Sequence, residues 1–165
     1  MASPKKIYKN MNSPAVKNLL KNLRRAKKKI VFTNGVFDIM HFGHIDYLKK
    51  TKALGDVLIV GLNTDRSEKK FKSKDRPVQN QNDRAAILIA LEAVDYVIMF
   101  SEETPAKLIS IVKPDILVKG ADYKISEIVG ADFVMSYGGK VKRIKLAKGR
   151  STTAIIKKIK KMKNV

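Results

Sequence analysis

The chain of 165 residues contains two histidines, His41 and His44, and both lie in one tetrapeptide, HFGH, within the stretch NGVFDIMHFGHIDYL (34–48). Imidazoles three residues apart at a helix start project from roughly the same face, and the glycine between them lets another group approach the backbone closely. The free amides and the dipole of a first helical turn favour an anion there. The pair therefore reads as a clamp for phosphate. Two other readings compete with it. Histidines at i and i+3 can share a metal, although no third histidine and no cysteine exists to complete a conventional zinc set. Alternatively, two satisfied histidines simply furnish a loop.

Whichever chemistry holds, the loop must be aimed by the elements around it. KIVFT (29–33) reads as a buried strand leading into the histidine loop, and GHIDYLKKTKAL as a helix stopped by Gly55. Upstream, Ser13-Pro14 opens an amphipathic leading helix with Val16, Leu19, Leu20 and Leu23 at helical spacing. VLIVGLN (57–63) is a second strand, followed by the polar EKKFKSKDRPVQN and a helix from about Asp83 to Ala93 whose apolar face includes Ala86, Ile87, Ala90 and Leu91. DYVIMF (95–100) is a third strand, Pro105 starts a short helix to Val112, and DILVKG (115–120) is the fourth strand. A short helix around Asp132 to Tyr137, the strand KVKRIKL and a last helix STTAIIKKIKK, capped by Ser151, complete the pattern.

Strands separated by helix-length segments predict right-handed crossovers. The fold class is α/β: a Rossmann-like, parallel five-stranded sheet with helices on both faces, in a single domain. Ligands of such sheets bind beyond the carboxyl ends of the strands. NGVFDIMHFGH follows the first strand, KGADY the fourth and GRSTT the fifth.

Composition narrows the chemistry. The absence of cysteine excludes disulfides, thiolate metal sites and a cysteine nucleophile, and 44% apolar residues at this length fit one core. The longest apolar run, AAILIALEAV (85–94), is broken by Glu92 and is far short of the roughly 20 residues that span a bilayer. MASPKKIYKN lacks the apolar stretch of a signal peptide, so the expectation is a cytoplasmic protein without a membrane partner. The net charge of +20 is unevenly placed: residues 1–29 carry ten Lys/Arg and residues 140–165 eleven, neither with any Asp or Glu. Single-strand binders interleave basic residues with stacking aromatics, and AIIKKIKKMKNV has no aromatic. A solvated lysine coat, without a nucleic-acid partner, is the expectation, and its field can draw polyanionic substrates inward.

NGVFDIMHFGH resembles the (G/N)G-x-FD-x-x-H-x-G-H signature of the nucleotidylyltransferase superfamily, and STT near the C-terminus resembles its second phosphate-binding motif. FTNGVFDIMHFGH, KSKDRPV, ALEAVDYV, TPAKLI, PDILVKGADY, the pair GG and STTAIIKKI together resemble the branch that adenylylates D-glycero-D-manno-heptose 1-phosphate, over about residues 15 to 160. The implied organisation is a basic N-terminal segment with the leading helix over 1–28 and a nucleotidylyltransferase domain over 29–165. Related enzymes with another acceptor or base, glycerol-3-phosphate cytidylyltransferase or an archaeal-type FMN adenylyltransferase, are the neighbouring alternatives. A basic nucleic-acid-binding module is the alternative from another class.

The resemblance implies attack by a phosphate oxygen of a sugar 1-phosphate on the α-phosphorus of ATP, expelling pyrophosphate and leaving a nucleotide sugar. No enzyme nucleophile is required, because alignment and charge stabilisation supply most of the catalysis of an in-line displacement. By the family pattern His41 and His44 contact the triphosphate, with His44 donating to the α-phosphate oxygens, and Lys72 is the third catalytic candidate. Lys72 and Arg76 resemble positions that close over the phosphates, and Arg84 resembles a nucleotide-binding position at the next helix start. Backbone amides at Val36 and Phe37 are implied phosphate ligands, while Asp38 either orients that loop or caps the following turn. Ser151, Thr152 and Thr153 bind the outer phosphates or cap the last helix, and Arg150 adds a guanidinium where the heptose branch often has a small residue. Lys119, Gly120, Asp122 and Tyr123 lie where the family recognises base and ribose. Mg²⁺ is expected to arrive with ATP, bridging phosphate oxygens and water, with no metal site built from protein ligands. A homodimer is expected, as is a separate kinase that supplies the sugar 1-phosphate.

Overall fold

Val, Ile and Leu fill both faces of the strands, as a parallel sheet covered on two sides requires. The computed structural model describes residues 5–68, 76–147 and 149–162. Its strands are β1 (Lys6–Tyr8), β2 (Ile30–Gly35), β3 (Val57–Asn63), β4 (Tyr96–Phe100), β5 (Ile116–Gly120) and β6 (Lys140–Ile144). Between them run α1 (Pro14–Arg25), α2 (Phe42–Lys52), α3 (Asp65–Glu68), α4 (Gln81–Ala90), α5 (Ala106–Val112) and α6 (Ala131–Ser136), and α7 (Thr152–Met162) follows the last strand. All strand pairs are parallel, in the order β1-β4-β3-β2-β5-β6.

Alternation along the strands sorts the core in two. Ile30, Phe32, Ile59, Ile98 and Leu117 face α1, α5 and α6, which contribute Leu20, Ile109 and Val134 among others. Val31, Leu58, Val60, Val97 and Val118 face α2 and α4, which bury Leu48 and Leu88. An aspartate just before a strand fixes the register at three places. Asp56 accepts from the Lys29 amide, Asp95 from Leu58 and Asp115 from Ile30, each at 2.7 Å.

The sheet has six strands, not the expected five. The additional strand, β1, lies within the basic N-terminal segment and pairs at the sheet edge with β4, Ile7 opposite Val97. Three residues flanked by lysines carry too few apolar side chains to register as a period. Helix α4 also starts earlier than expected, capped by the Asn80 carboxamide, and ends at Ala90. It buries Ala85 and Leu88 and exposes Ala86 and Ala90. The stretch AAILIA at the end of α4 is apolar on every side, so periodicity could not choose the buried face. The remaining strands and helices lie within a few residues of their expected places, and Ser151 Oγ caps α7 by accepting from the Ala154 amide at 3.1 Å.

Candidate active site

The cleft opens where the two central strands separate. β2 and β5 are paired at Val31 with Ile116 and at Phe32 with Leu117, whereas β2 stays paired with β3 as far as Gly35 with Leu62. Chain order also reverses here, with β3 and β4 on one side of β2 and β5 and β6 on the other, which is the switch point at which such sheets bind ligands. The resulting cleft has a volume of about 460 Å³. Lys119 Nζ bridges the gap by donating to the Asn34 carbonyl at 2.9 Å. Burial brings the Lys119 amine down to about 8 despite the nearby Asp122 carboxylate.

From Gly35 the chain must turn sharply to begin α2, and it does so through Phe37 (φ 50°) and Ile39 (φ 46°), both left-handed. Such conformations cost on the order of 1–3 kcal/mol each in residues with a Cβ and cluster at functional sites. His41 is the N-cap of α2, its Nδ1 accepting from the Gly43 amide at 3.1 Å, so the proton of the neutral ring sits on Nε2. The His41 and His44 rings stack at 3.9 Å, and Phe37 closes the other side of His44 at 5.5 Å. Gly43 is required for this arrangement, because a Cβ there would lie 2.9 Å from His41 Cε1 and 3.2 Å from Arg150 Cβ. Burial pushes His44 down to about 4, with the adjacent His41 adding to it and Asp38 opposing. Burial and the Arg150 charge likewise lower His41. Both rings are neutral at physiological pH while no anion is bound.

Asp38 and Arg84 hold the loop from below. The Asp38 carboxylate is buried and accepts from the amides of Val78 (2.9 Å) and Gln79 (3.0 Å) and from Arg76 Nη1 (3.2 Å). Burial raises its pKa, but these three donors outweigh burial and hold it below the usual carboxylate range. Arg84 is 0% exposed. Its guanidinium donates to the carbonyls of Val36 (2.6 Å) and Gln79 (3.0 Å) and to Asp65 Oδ1 (2.6 Å). At the far wall, Thr152 Oγ1 donates to the Asp38 carbonyl at 2.7 Å, which fixes the start of α7 against the same loop. On the floor, the Tyr47 hydroxyl meets Thr33 Oγ1 at 2.7 Å, and burial pushes its pKa up to about 12.

Most of the residues singled out in the sequence converge on this cleft. Val36, Phe37, Asp38, His44, Arg76, Lys119, Gly120, Asp122, Tyr123, Thr152 and Thr153 all line it. Four are placed otherwise, and one of them, Arg150, has its Cβ beside Gly43. His41 stands behind His44 as the helix cap, Ser151 caps α7, and Arg84 is buried beneath the loop with its donors engaged. Lys72 lies outside the described residues. Asn34, Tyr47 and Asn63 also line the cleft and were not singled out in the sequence. A polar residue at the carboxyl end of a parallel strand was the available signal for both asparagines. No group of three His, Cys, Asp or Glu able to hold a metal occurs among the described residues. No helix among them is long and apolar enough to cross a membrane.

Residues 32–158 match the family model described as cytidylyltransferase-like. The bifunctional protein HldE of Nitratiruptor sp. is 56% identical over 139 residues, covering 84% of this chain and 29% of that protein. That of Campylobacter jejuni subsp. doylei is 58% identical over 145 residues, covering 88% and 31%. The chain thus spans about three tenths of the length of these curated relatives. Among solved structures, the lipopolysaccharide core biosynthesis protein of Thermoplasma volcanium is 35% identical with a TM-score of 0.59, over 74% of this chain and 99% of that one. Pantoate-beta-alanine ligase of Francisella tularensis, at 17% identity and TM-score 0.56 over 98% of this chain and 78% of that one, shares the fold. With the family model matching most of the chain and the two histidines set at the switch point of its sheet, this protein belongs to the cytidylyltransferase-like family of nucleotidyltransferases.

Proposed function

We propose that the chain transfers AMP from ATP to D-glycero-D-manno-heptose 1-phosphate, giving ADP-heptose and pyrophosphate. The observation that carries the reading is His44, a neutral, half-buried imidazole that lines the cleft with the β2 loop and the α7 N-terminus and whose buried Nδ1 has no partner among the described residues. The choice of acceptor rests on the HldE relatives at 50–58% identity and on the solved relative from lipopolysaccharide core biosynthesis.

In this reading the triphosphate lies across the loop from Val36 to Asp38 and against Thr152 and Thr153. The acceptor phosphate oxygen attacks the α-phosphorus opposite the departing pyrophosphate. His44 hydrogen-bonds the α-phosphate oxygens, where charge builds in the transition state. His41, proton on Nε2, supports the stack from behind. As phosphate arrives its charge favours protonation of both rings, opposing the burial that keeps them neutral in the free enzyme. Arg76, already tied to Asp38, reaches the phosphates from the opposite wall, and Lys119, Asp122 and Tyr123 select the base and ribose.

A Mg²⁺ would enter with ATP, and the cleft residues Val36, Thr152 and Thr153 would hold that complex by its phosphates. Asp38 is already engaged by three donors, and the residues that would hold the ATP–metal complex are those that would hold its phosphates. When bound, the ion supplies neutralisation of phosphate charge. We further propose a homodimer, supported by the exposed apolar side chains Ile159 and Met162 on α7.

Pyrophosphate release tests the reading, with ATP or CTP offered against heptose 1-phosphates, glycerol 3-phosphate and FMN. Turnover is expected with ATP and a heptose 1-phosphate. A clear preference for CTP, or for either other acceptor, contradicts it.

A further inference from the structure

Two buried side-chain polar atoms among the described residues have no hydrogen-bond partner, His44 Nδ1 and Asn34 Oδ1, and both residues line the same cleft. An unmatched buried acceptor costs about 1–3 kcal/mol and therefore calls for a partner. Phosphate chemistry employs His44 and leaves Asn34 unexplained, since Lys119 satisfies the Asn34 backbone carbonyl and not its carboxamide. The side chain shares a sheet face with the neighbouring position of β3. Asn34 stands opposite Gly61 in the register, and a Cβ built on Gly61 would lie 3.1 Å from Asn34 Cβ. Two positions further along β3, Asn63 also lines the cleft. On the β5 side stand Lys119, Gly120, Asp122 and Tyr123. If these take the nucleotide, as the functional reading above has it, the second substrate enters over β3. A carboxamide oxygen only accepts hydrogen bonds. Ionised phosphate has no proton to give it, whereas a sugar hydroxyl does.

We infer that Asn34 is a specificity-determining residue whose carboxamide oxygen accepts a hydrogen bond from a hydroxyl of the phosphorylated acceptor. The inference rests on the nucleotide occupying the β5 side. Loss of this acceptor atom weakens the hydroxylated substrate and leaves ATP untouched, because a site built to bond a hydroxyl discriminates through the pair.

The test is steady-state kinetics of the full chain, wild type against Asn34→Ala and Asn34→Thr, with ATP and whichever acceptor the wild type turns over in the pyrophosphate assay. For Asn34→Ala the expected result is a KM for the acceptor raised about tenfold or more and an unchanged KM for ATP, which also shows that the variant is folded. Asn34→Thr, which restores an oxygen acceptor on a side chain that suits a strand, is expected to recover part of the loss. Acceptors lacking one hydroxyl at a time add a readout that a purely structural role would not move. One of them should cost the wild type the same factor and cost Asn34→Ala nothing more. A KM for ATP that rises with that of the acceptor, or hydroxyl deletions costing both proteins equally, overturns the inference. If the wild type accepts no sugar 1-phosphate but uses glycerol 3-phosphate or FMN, the proposed acceptor fails, and the same comparison on that hydroxylated acceptor still decides the role of Asn34.

Discussion

His44 shows how one side chain acquires a role from its neighbours. Its ring is held between His41 and Phe37, so burial prevails over charge and keeps it neutral. His44→Ala is expected to lower kcat by about 10²–10³, the loss typical of removing one transition-state donor, without change in the circular dichroism spectrum. Wild-type turnover in that variant would remove His44 from the mechanism. The same depressed pKa has a consequence for stability. Folded His44 titrates near 4 and the unfolded residue near 6.5, so the unfolded chain binds more protons between these values and stability falls as pH drops through that window. Asp38 acts in the same direction but lower, below its ordinary value of 3.8. Denaturation midpoints measured from pH 7 to 4.5 should therefore decline less steeply in His44→Gln than in wild type. Parallel curves would show that the ring is not buried neutral. At this scale HFGH was legible from residue types alone, but the purpose of Gly43 was not. The group its missing Cβ admits is the ring of His41 itself, a contact no spacing rule contains.

At the scale of elements, Arg84 ties three pieces of chain that are far apart in sequence. It joins the Val36 turn after β2, Asp65 at the start of α3 and Gln79 before α4. The family likeness implies nucleotide binding at Arg84; in the structure its guanidinium is buried with its donors engaged beneath the loop after β2, and we propose that it positions that loop. Replacing Arg84 by Met is expected to cost roughly 3–5 kcal/mol, because the Asp65 charge and two carbonyls lose their donor. Urea denaturation measures it, and a cost below about 1 kcal/mol would mean that the pair behaves like a surface ion pair. The sequence showed the order of strands and helices clearly, since buried parallel strands read as apolar runs. It did not show β1, which has too few residues for a pattern, nor the face of α4, where apolar side chains surround the helix. It also left open whether Asp38 orients a loop or caps a turn. The cap of α2 is His41, and Asp38 holds the segment from Arg76 to Gln79.

Over the whole molecule, the charge excess visible at both ends of the sequence occupies two different places. Arg24, Lys27, Lys28 and Lys29 surround a hollow that also contains Ile30 at the start of β2, at the end of the sheet away from the cleft. Lys157, Lys158, Lys160 and Lys161 lie on α7, whose first residues line the cleft. Steering of a polyanion by such fields is screened over about 8 Å at physiological salt. Neutralising the α7 lysines should therefore raise the KM for ATP at low salt more than neutralising Lys27 to Lys29, with the difference fading as salt is added. Equal effects from both clusters would show that net charge alone attracts the substrate. The proposed place of the nucleotide is the cleft where β2 separates from β5, lined by His44, Thr152 and Thr153. A crystal structure with an ATP analogue that resists transfer tests this most directly. The α-phosphate is expected within hydrogen-bonding distance of His44, with the outer phosphates at Thr152 and Thr153 and the base toward Tyr123. An analogue bound instead in the basic hollow at the opposite end of the sheet would contradict the assignment.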